Sequence, residues 1–127
     1  MKEHIQAAVA FAGVSGAGID LLATSGTWVH LDAGEMLFHM GDQSRTLYLV
    51  AEGGLDVLMP GAAGPETVVG QLGPGDIAGE IQMLTGGSRT ASLRANTATR
   101  LVRFSKEVFE RLAETEAASW NTSGTWR

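Results

Sequence analysis

Residues 73–93 read Gly73-Pro-Gly-Asp-Ile-Ala-Gly-Glu-Ile-Gln-Met-Leu-Thr-Gly-Gly-Ser-Arg-Thr-Ala-Ser-Leu93. A turn is predicted first, because Pro74 presets one φ and Gly75 accepts the positive φ that a type II turn needs next. A short apolar helix is predicted at 81–84, ended by Gly86 and Gly87, and a strand at 89–93. The helix N-terminus, near residues 79–82, would present backbone N–H groups that favour an anion.

Two charged residues of this segment indicate which anion it would take. Arg89 can offer a planar, two-pronged donor to a phosphate. Glu80 would be repelled by that phosphate, but as an acceptor it can bind a neighbouring hydroxyl such as a ribose 2′-OH. The pair predicts a ribonucleotide whose phosphate is folded close to its 2′-hydroxyl. The alternative is a plain surface ion pair between the two side chains, which would contribute little.

Gly79-Glu80 followed by Arg89-Thr90-Ala91 resembles the phosphate-binding cassette of the cyclic nucleotide-binding domain family. The resemblance covers about residues 10–112. It implies a non-enzymatic sensor of cAMP or cGMP whose flanking helices move when the ligand binds. Such a sensor needs no cofactor besides the cyclic nucleotide itself. Further matching motifs, in the family's order, are Phe11-Ala-Gly-Val-Ser, Ala33-Gly-Glu, Gly41-Asp, Leu47-Tyr-Leu-Val, Gly53 and Leu72-Gly-Pro-Gly-Asp.

The resemblance assigns roles to individual residues of the cassette. Gly79 lets the backbone approach the ligand because it lacks a Cβ. The backbone N–H groups of Ile81 and Gln82 cap the phosphate, and the Thr90 hydroxyl and Ala91 N–H complete the cradle. Three further residues would form the wall around the base, although packing in the core would explain them equally well: Val57, Val69 and Leu72.

Three positions bear on the affinity and on the lid of the predicted site. Ala78 stands where the family often has a large aromatic residue, which predicts looser packing behind the cassette. Gln82 stands where a small residue is common, so its side chain would crowd the phosphate or add a contact. The family's lid is a C-terminal helix that brings an apolar residue over the purine. Trp120 is the one candidate here, so the lid is expected to be incomplete, or supplied by a partner or by a longer parent chain.

Composition excludes several classes of function. The net charge of −5 argues against nonspecific nucleic-acid binding. The absence of cysteine excludes disulfides, thiolate metal sites and cysteine nucleophiles. No apolar run approaches the ~20 residues of a membrane span. A signal peptide is not expected, because Glu3 and His4 make a poor charged leader. A cytoplasmic location is therefore predicted.

The spacing of the short strands predicts a sandwich or barrel of jelly-roll type. Together with the resemblance it implies a mainly β fold, a double-stranded β-helix or jelly-roll barrel with short flanking helices. One domain, 1–127, is expected, with an N-terminal helical unit at 1–25 and a C-terminal helix at 105–118. Its barrel would occupy 27–104, with the cassette at 77–93. In the first helical turns, Ile5, Ala8, Val9 and Ala12 are predicted to share a face, and Ser15 and Ser105 are predicted N-caps. Strands are predicted at 28–31, 36–38, 47–51, 55–59, 67–72, 90–95 and 99–104, with a loop at 60–65.

Other functions are possible on such a scaffold. A metal enzyme of cupin type would need a histidine cluster, whereas His4, His30 and His39 are scattered along the chain. A degenerate barrel would bind nothing and serve as an interaction or dimerisation scaffold. A DNA-binding regulator would need a helix-turn-helix, which this sequence does not contain. An output domain on a longer parent chain stays open, as does a homodimer.

Overall fold

The structure is a computed structural model that describes residues 1–43, 45–62, 64–79 and 88–123. Helices lie at both ends of the chain, with strands between them. Helix α1 covers Lys2–Ala7, a 3-10 turn covers Val9–Phe11, α2 covers Gly16–Ser25 and α3 covers Lys106–Ser123. The strands are β1 Thr27–Leu31, β2 Met36–Phe38, β3 Thr46–Glu52, β4 Leu55–Gly61, β5 Gly64–Leu72, β6 Ile77–Ala78, β7 Ser92–Ala95 and β8 Thr99–Ser105.

These strands form two antiparallel sheets of four strands each. Sheet I has the order β1-β8-β3-β6 and sheet II the order β2-β7-β4-β5. Consecutive strands therefore alternate between sheets for much of the chain, as the jelly-roll expectation requires. The predicted mainly β fold with flanking helices is confirmed.

Sheet I is covered on both faces, because successive side chains of a strand point to opposite sides. Leu47 and Leu49 of β3 pack with the helices in one apolar cluster, which also contains Leu22 of α2 and Leu112 of α3. Val50, the residue after Leu49, points to the opposite side and packs in a second cluster shared by the two sheets. We call these the helical core and the inter-sheet core.

Both predicted serine caps are confirmed. The Ser15 hydroxyl accepts a hydrogen bond from Gly18 N at 3.1 Å at the start of α2. The Ser105 hydroxyl accepts one from Val108 N at 3.4 Å at the start of α3. Helix α3 runs to Ser123 rather than ending at 118 as predicted. The Ala- and Glu-rich sequence before residue 118 has high helix propensity, which outweighs the polar residues that follow.

The predicted apolar face of the N-terminal segment is wrong in part. Ile5 and Ala8 are buried, but Val9 is 85% exposed and Ala12 is exposed as well. The reason is local, because Ala8 has an extended ψ of 126° and ends the helix there. The helical phase is lost at that point, and Phe11 is the residue that enters the helical core.

Strand boundaries differ from the prediction in three places. The expected loop at 60–65 is much shorter, because β4 and β5 stay paired as far as Gly61 and Gly64. The two-residue strand β6 was not predicted, since its short sequence carries no periodicity. The strand expected from residue 89 or 90 begins only at Ser92, because the backbone of Arg89 bonds to a loop instead of a neighbouring strand.

Candidate functional site

The turn at residues 73–76 positions the end of β6. Gly75 has φ of +92°, and Asp76 N donates to Gly73 O at 3.0 Å, so the predicted turn at Pro74-Gly75 is confirmed. Two further bonds of 2.9 Å tie the turn to β3, from Gly75 N to Val50 O and from Val50 N to Asp76 O. Strand β6 consequently runs beside β3 and delivers Gly79 next to Thr46.

Gly79 is a glycine for two separate reasons. Its φ of +94° lies in the left-handed region, where a side chain would be strained. A Cβ there would also overlap Nη1 of Arg89 and lie 2.8 Å from Thr46 O. The missing Cβ thus leaves room for a guanidinium against the backbone.

The side chain of Arg89 is held from several directions. Its Nη2 donates to Thr46 O at 2.8 Å and to Thr46 Oγ1 at 3.2 Å. Its Cζ lies 4.3 Å from the centroid of the Phe38 ring, within the range of a cation–π contact. The residue is 2% exposed. The guanidinium is therefore fixed in a buried position beside Gly79.

The backbone of Arg89 is fixed by the loop that follows β2. Arg89 N donates to Asp42 O at 2.8 Å, and Gly41 N donates to Arg89 O at 2.9 Å. The loop is itself braced, because His39 N donates to the Asp42 carboxylate at 2.9 Å and Met40 N to Ser92 Oγ at 2.8 Å. Main chain and side chain of the arginine are thus held independently.

Burial lowers the pKa of Arg89, because removal of water disfavours the charged form, while Tyr48 and Asp42 oppose that effect. Arginine nevertheless keeps its charge in proteins. A poorly hydrated cation gains much from an anion that approaches it, because the local dielectric is low. Chemically, the site is suited to a phosphate.

The predicted cassette residues that follow Arg89 lie in a bend before β7. Thr90 is exposed and Ala91 is half-buried. Glu80, Ile81 and Gln82, together with the short helix expected at 81–84, lie outside the described residues. Their roles stay predictions.

The three residues predicted to surround a base differ in their solvent exposure and packing. Val57 of β4 and Leu72 of β5 are half-buried and pack against the inter-sheet core. Val69 is 57% exposed, at a register shift where Val57 pairs with Gly70 but Leu58 pairs with Val68. Ala78, for which looser packing was expected, is 5% exposed within the inter-sheet core. Contact of any of these residues with a ligand stays a prediction.

Sequence reasoning missed two residues that contact the arginine side chain. Phe38 was read only as a strand residue, and Thr46 was not singled out. No local motif marks them, since both lie far from Arg89 in the sequence and meet it only in the folded chain.

The described parts of the chain contain neither a metal-binding cluster nor a membrane-spanning helix. They contain no group of three or more His, Cys, Asp or Glu residues able to hold a metal ion. None of their helices has the length and apolar character required to cross a bilayer.

Residues 28–116 match the family model described as cyclic nucleotide-binding domain. Among curated proteins, lysophospholipase nte1 of Aspergillus oryzae is 39% identical over 87 residues, which make up 68% of this chain and 6% of that protein. The chain thus spans about 6% of the length of the curated relatives it matches.

Solved structures show the same architecture. The catabolite activator protein of Thermus thermophilus is 30% identical with a TM-score of 0.76, over 84% of this chain and 50% of that chain. A regulatory subunit of a cAMP-independent protein kinase A from Trypanosoma brucei has a TM-score of 0.80 at 22% identity. That match covers 97% of this chain and 46% of that chain, and its low identity makes it a likeness of fold alone.

Proposed function

Because the chain belongs to the cyclic nucleotide-binding domain family, we propose that it is a sensor module that binds cAMP or cGMP and moves its flanking helices in response. The observation that carries the proposal is the buried guanidinium of Arg89, held against Gly79 by Thr46 and Phe38. A planar cation fixed in this way can donate hydrogen bonds to a cyclic phosphate.

The remaining contacts follow from the chemistry of the ligand. Glu80 would accept a hydrogen bond from the ribose 2′-hydroxyl, and the N–H groups of Ile81 and Gln82 would meet the phosphate. Thr90 and Ala91 would add donors from the other side. Purine contact is assigned to Val57, Val69 and Leu72, whose apolar surfaces do not distinguish adenine from guanine. The module is not itself an enzyme in this proposal.

The fold offers a route from the site to the flanking helices. Thr46, which accepts hydrogen bonds from Arg89, is paired with Ser105 across β3 and β8. Ser105 caps α3, and α3 packs with α1 and α2 in the helical core. A ligand that shifts Arg89 would thus act on a strand pair that ends at the first turn of α3. Such a shift requires different affinities for two helix arrangements.

The relatives favour a second possibility for the physiological setting. The chain matches a small part of proteins named lysophospholipases, so it would serve as a regulatory segment of a larger enzyme or regulator. The competing function is a degenerate barrel that binds no nucleotide and acts as an interaction or dimerisation scaffold.

Isothermal titration calorimetry with cAMP, cGMP and linear 5′-AMP tests the proposal. We expect saturable binding of at least one cyclic nucleotide and clearly weaker binding of the linear one, because a linear phosphate is not folded back toward the 2′-hydroxyl. No binding heat at any temperature tried would favour the scaffold function. Equal affinity for all three nucleotides would contradict a pocket that recognises the cyclic phosphate.

A further inference from the structure

Phe38 lies with its ring against the guanidinium of Arg89. The ring centroid is 4.3 Å from Cζ, and Phe38 is the last residue of β2. The ring is held in place in turn, because it packs against the inter-sheet core and lies 6.3 Å from the Tyr48 ring at 45°. A fixed aromatic face thus meets a fixed cation.

The contact with Phe38 differs in kind from the contact with Thr46. Thr46 accepts hydrogen bonds at one edge of the guanidinium, from Nη2. Those hydrogen bonds lie in the plane of the guanidinium and restrain the position of that edge. A ring stacked on the face acts perpendicular to that plane and restrains its tilt, because the attraction depends on the ring's negative π surface.

We propose that Phe38 is a positioning residue for Arg89, one that sets the plane of the guanidinium before a phosphate arrives. The inference rests on the proposed function of the same site. Phe38 acts through the arginine and does not touch the ligand. Its effect is on affinity, because a side chain already ordered in the free protein loses less conformational freedom on binding.

A packing role for Phe38 predicts something different. A residue that only fills the inter-sheet core would contribute to folding through its volume, and the charge of its π face would be irrelevant. Fluorination separates the two roles, since fluorine withdraws electron density from the ring face and changes ring volume little. Leucine at the same position keeps apolar bulk but removes the face altogether.

The experiment replaces Phe38 with 4-fluoro-, 3,5-difluoro- and 3,4,5-trifluorophenylalanine and measures cAMP and cGMP affinity by calorimetry. We expect the affinity for the cyclic nucleotide to fall stepwise with each added fluorine. Phe38→Leu should lower that affinity by about 2- to 30-fold, the range that corresponds to cation–π energies. The matched control is the same series at Phe109, which is half-buried and packs edge-on against Phe104. That series should leave affinity unchanged.

A second readout needs no ligand. Nuclear magnetic resonance of the Arg89 side chain should show an upfield ring-current shift and slow rotation about the Nε–Cζ bond in the unmodified protein. In Phe38→Leu the ring-current shift should be lost and the rotation should become faster, while the thermal midpoint reports whether that variant remains folded.

The outcomes distinguish failure of the positioning role of Phe38 from failure of the proposed function. A protein that binds a cyclic nucleotide with an affinity indifferent to the fluorine series at residue 38 retains its function and refutes the positioning role. Absence of a ring-current shift at Arg89 refutes it as well. A protein that binds neither cyclic nucleotide loses the proposed function, and the positioning role falls with it.

Discussion

The carboxylate of Glu116 in α3 accepts two hydrogen bonds from Ser15, the residue that caps α2. Ser15 N donates to Oε1 at 2.7 Å and Ser15 Oγ to Oε2 at 2.6 Å. The two helices come from opposite ends of the described chain, and the negative carboxylate sits at the positive N-terminus of α2. This carboxylate–serine clamp joins the elements that the sensor proposal requires to move.

The clamp should appear as a coupling free energy between α2 and α3. We predict that Ser15→Ala and Glu116→Gln each destabilise the protein by about 1–3 kcal/mol, the scale of hydrogen bonds to a charged group. The double variant should lose clearly less than the sum, because both changes disrupt the bond from Ser15 Oγ to the Glu116 carboxylate. Urea denaturation of the four proteins measures this. The control is Glu114→Gln, an exposed glutamate of the same helix, and strictly additive losses would contradict the clamp.

Gly79→Ala tests the close approach between Gly79 and Arg89. Alanine at position 79 would have to adopt a left-handed φ, and its Cβ would overlap the guanidinium. We therefore expect a loss of about 1–3 kcal/mol in unfolding free energy. Cyclic nucleotide affinity should fall too, because the arginine must leave its position. Gly16→Ala is the control, since a Cβ there meets nothing within 4 Å. Equal stability of the two variants in denaturant would show that the space at Gly79 is not needed.

A polar cluster on sheet II predicts a pH dependence of stability. Hydrogen bonds from Asn96 and then Gln71 lower the pKa of Asp56, with Arg94 3.5 Å away adding to them. A lowered carboxyl pKa stabilises the fold above the unfolded value of about 3.9, and the stabilisation is lost as pH falls through the lower folded pKa.

Asp56→Asn should therefore lower the free energy of unfolding by about 1–3 kcal/mol at pH 7. This gap in unfolding free energy between the variant and the unmodified protein should shrink below about pH 4. Urea denaturation from pH 7 down to about pH 3 follows the gap. Glu66→Gln, an exposed carboxylate on β5, serves as the comparison and should give no such trend. A gap that stays constant over the whole range would mean that the carboxylate of Asp56 is not the group involved.

Local chemistry explains what the sequence could predict. The turn at Pro74-Gly75 and the caps at Ser15 and Ser105 depend on residues next to one another, and all three are present. Gly79 and Arg89 were identified through a motif of fixed order. Such features are encoded within a few positions, so no tertiary contact is needed to infer them.

Long-range packing explains the features that could not be predicted from the sequence. The contacts of Arg89 with Phe38 and Thr46 arise from pairing of β3 with β6 and from the loop after β2. The clamp between Ser15 and Glu116 joins residues at opposite ends of the described chain. Ser92 begins its strand late because the backbone of Arg89 is occupied by the loop. None of these follows from periodicity, which reports only which face of an element is apolar.

Calorimetric titration of the Arg89 variants with cAMP and cGMP tests the central claim most directly. Arg89→Ala should weaken binding by about 10- to 150-fold or more, equivalent to about 1.5–3 kcal/mol. Arg89→Lys, which keeps the charge but lacks the planar fork, should recover only part of that loss. Arg111→Ala removes an equal charge from the exposed side of α3 and should bind as the unmodified protein does. With folding verified by thermal melting, cyclic nucleotide affinity that is unchanged in Arg89→Ala would contradict the account.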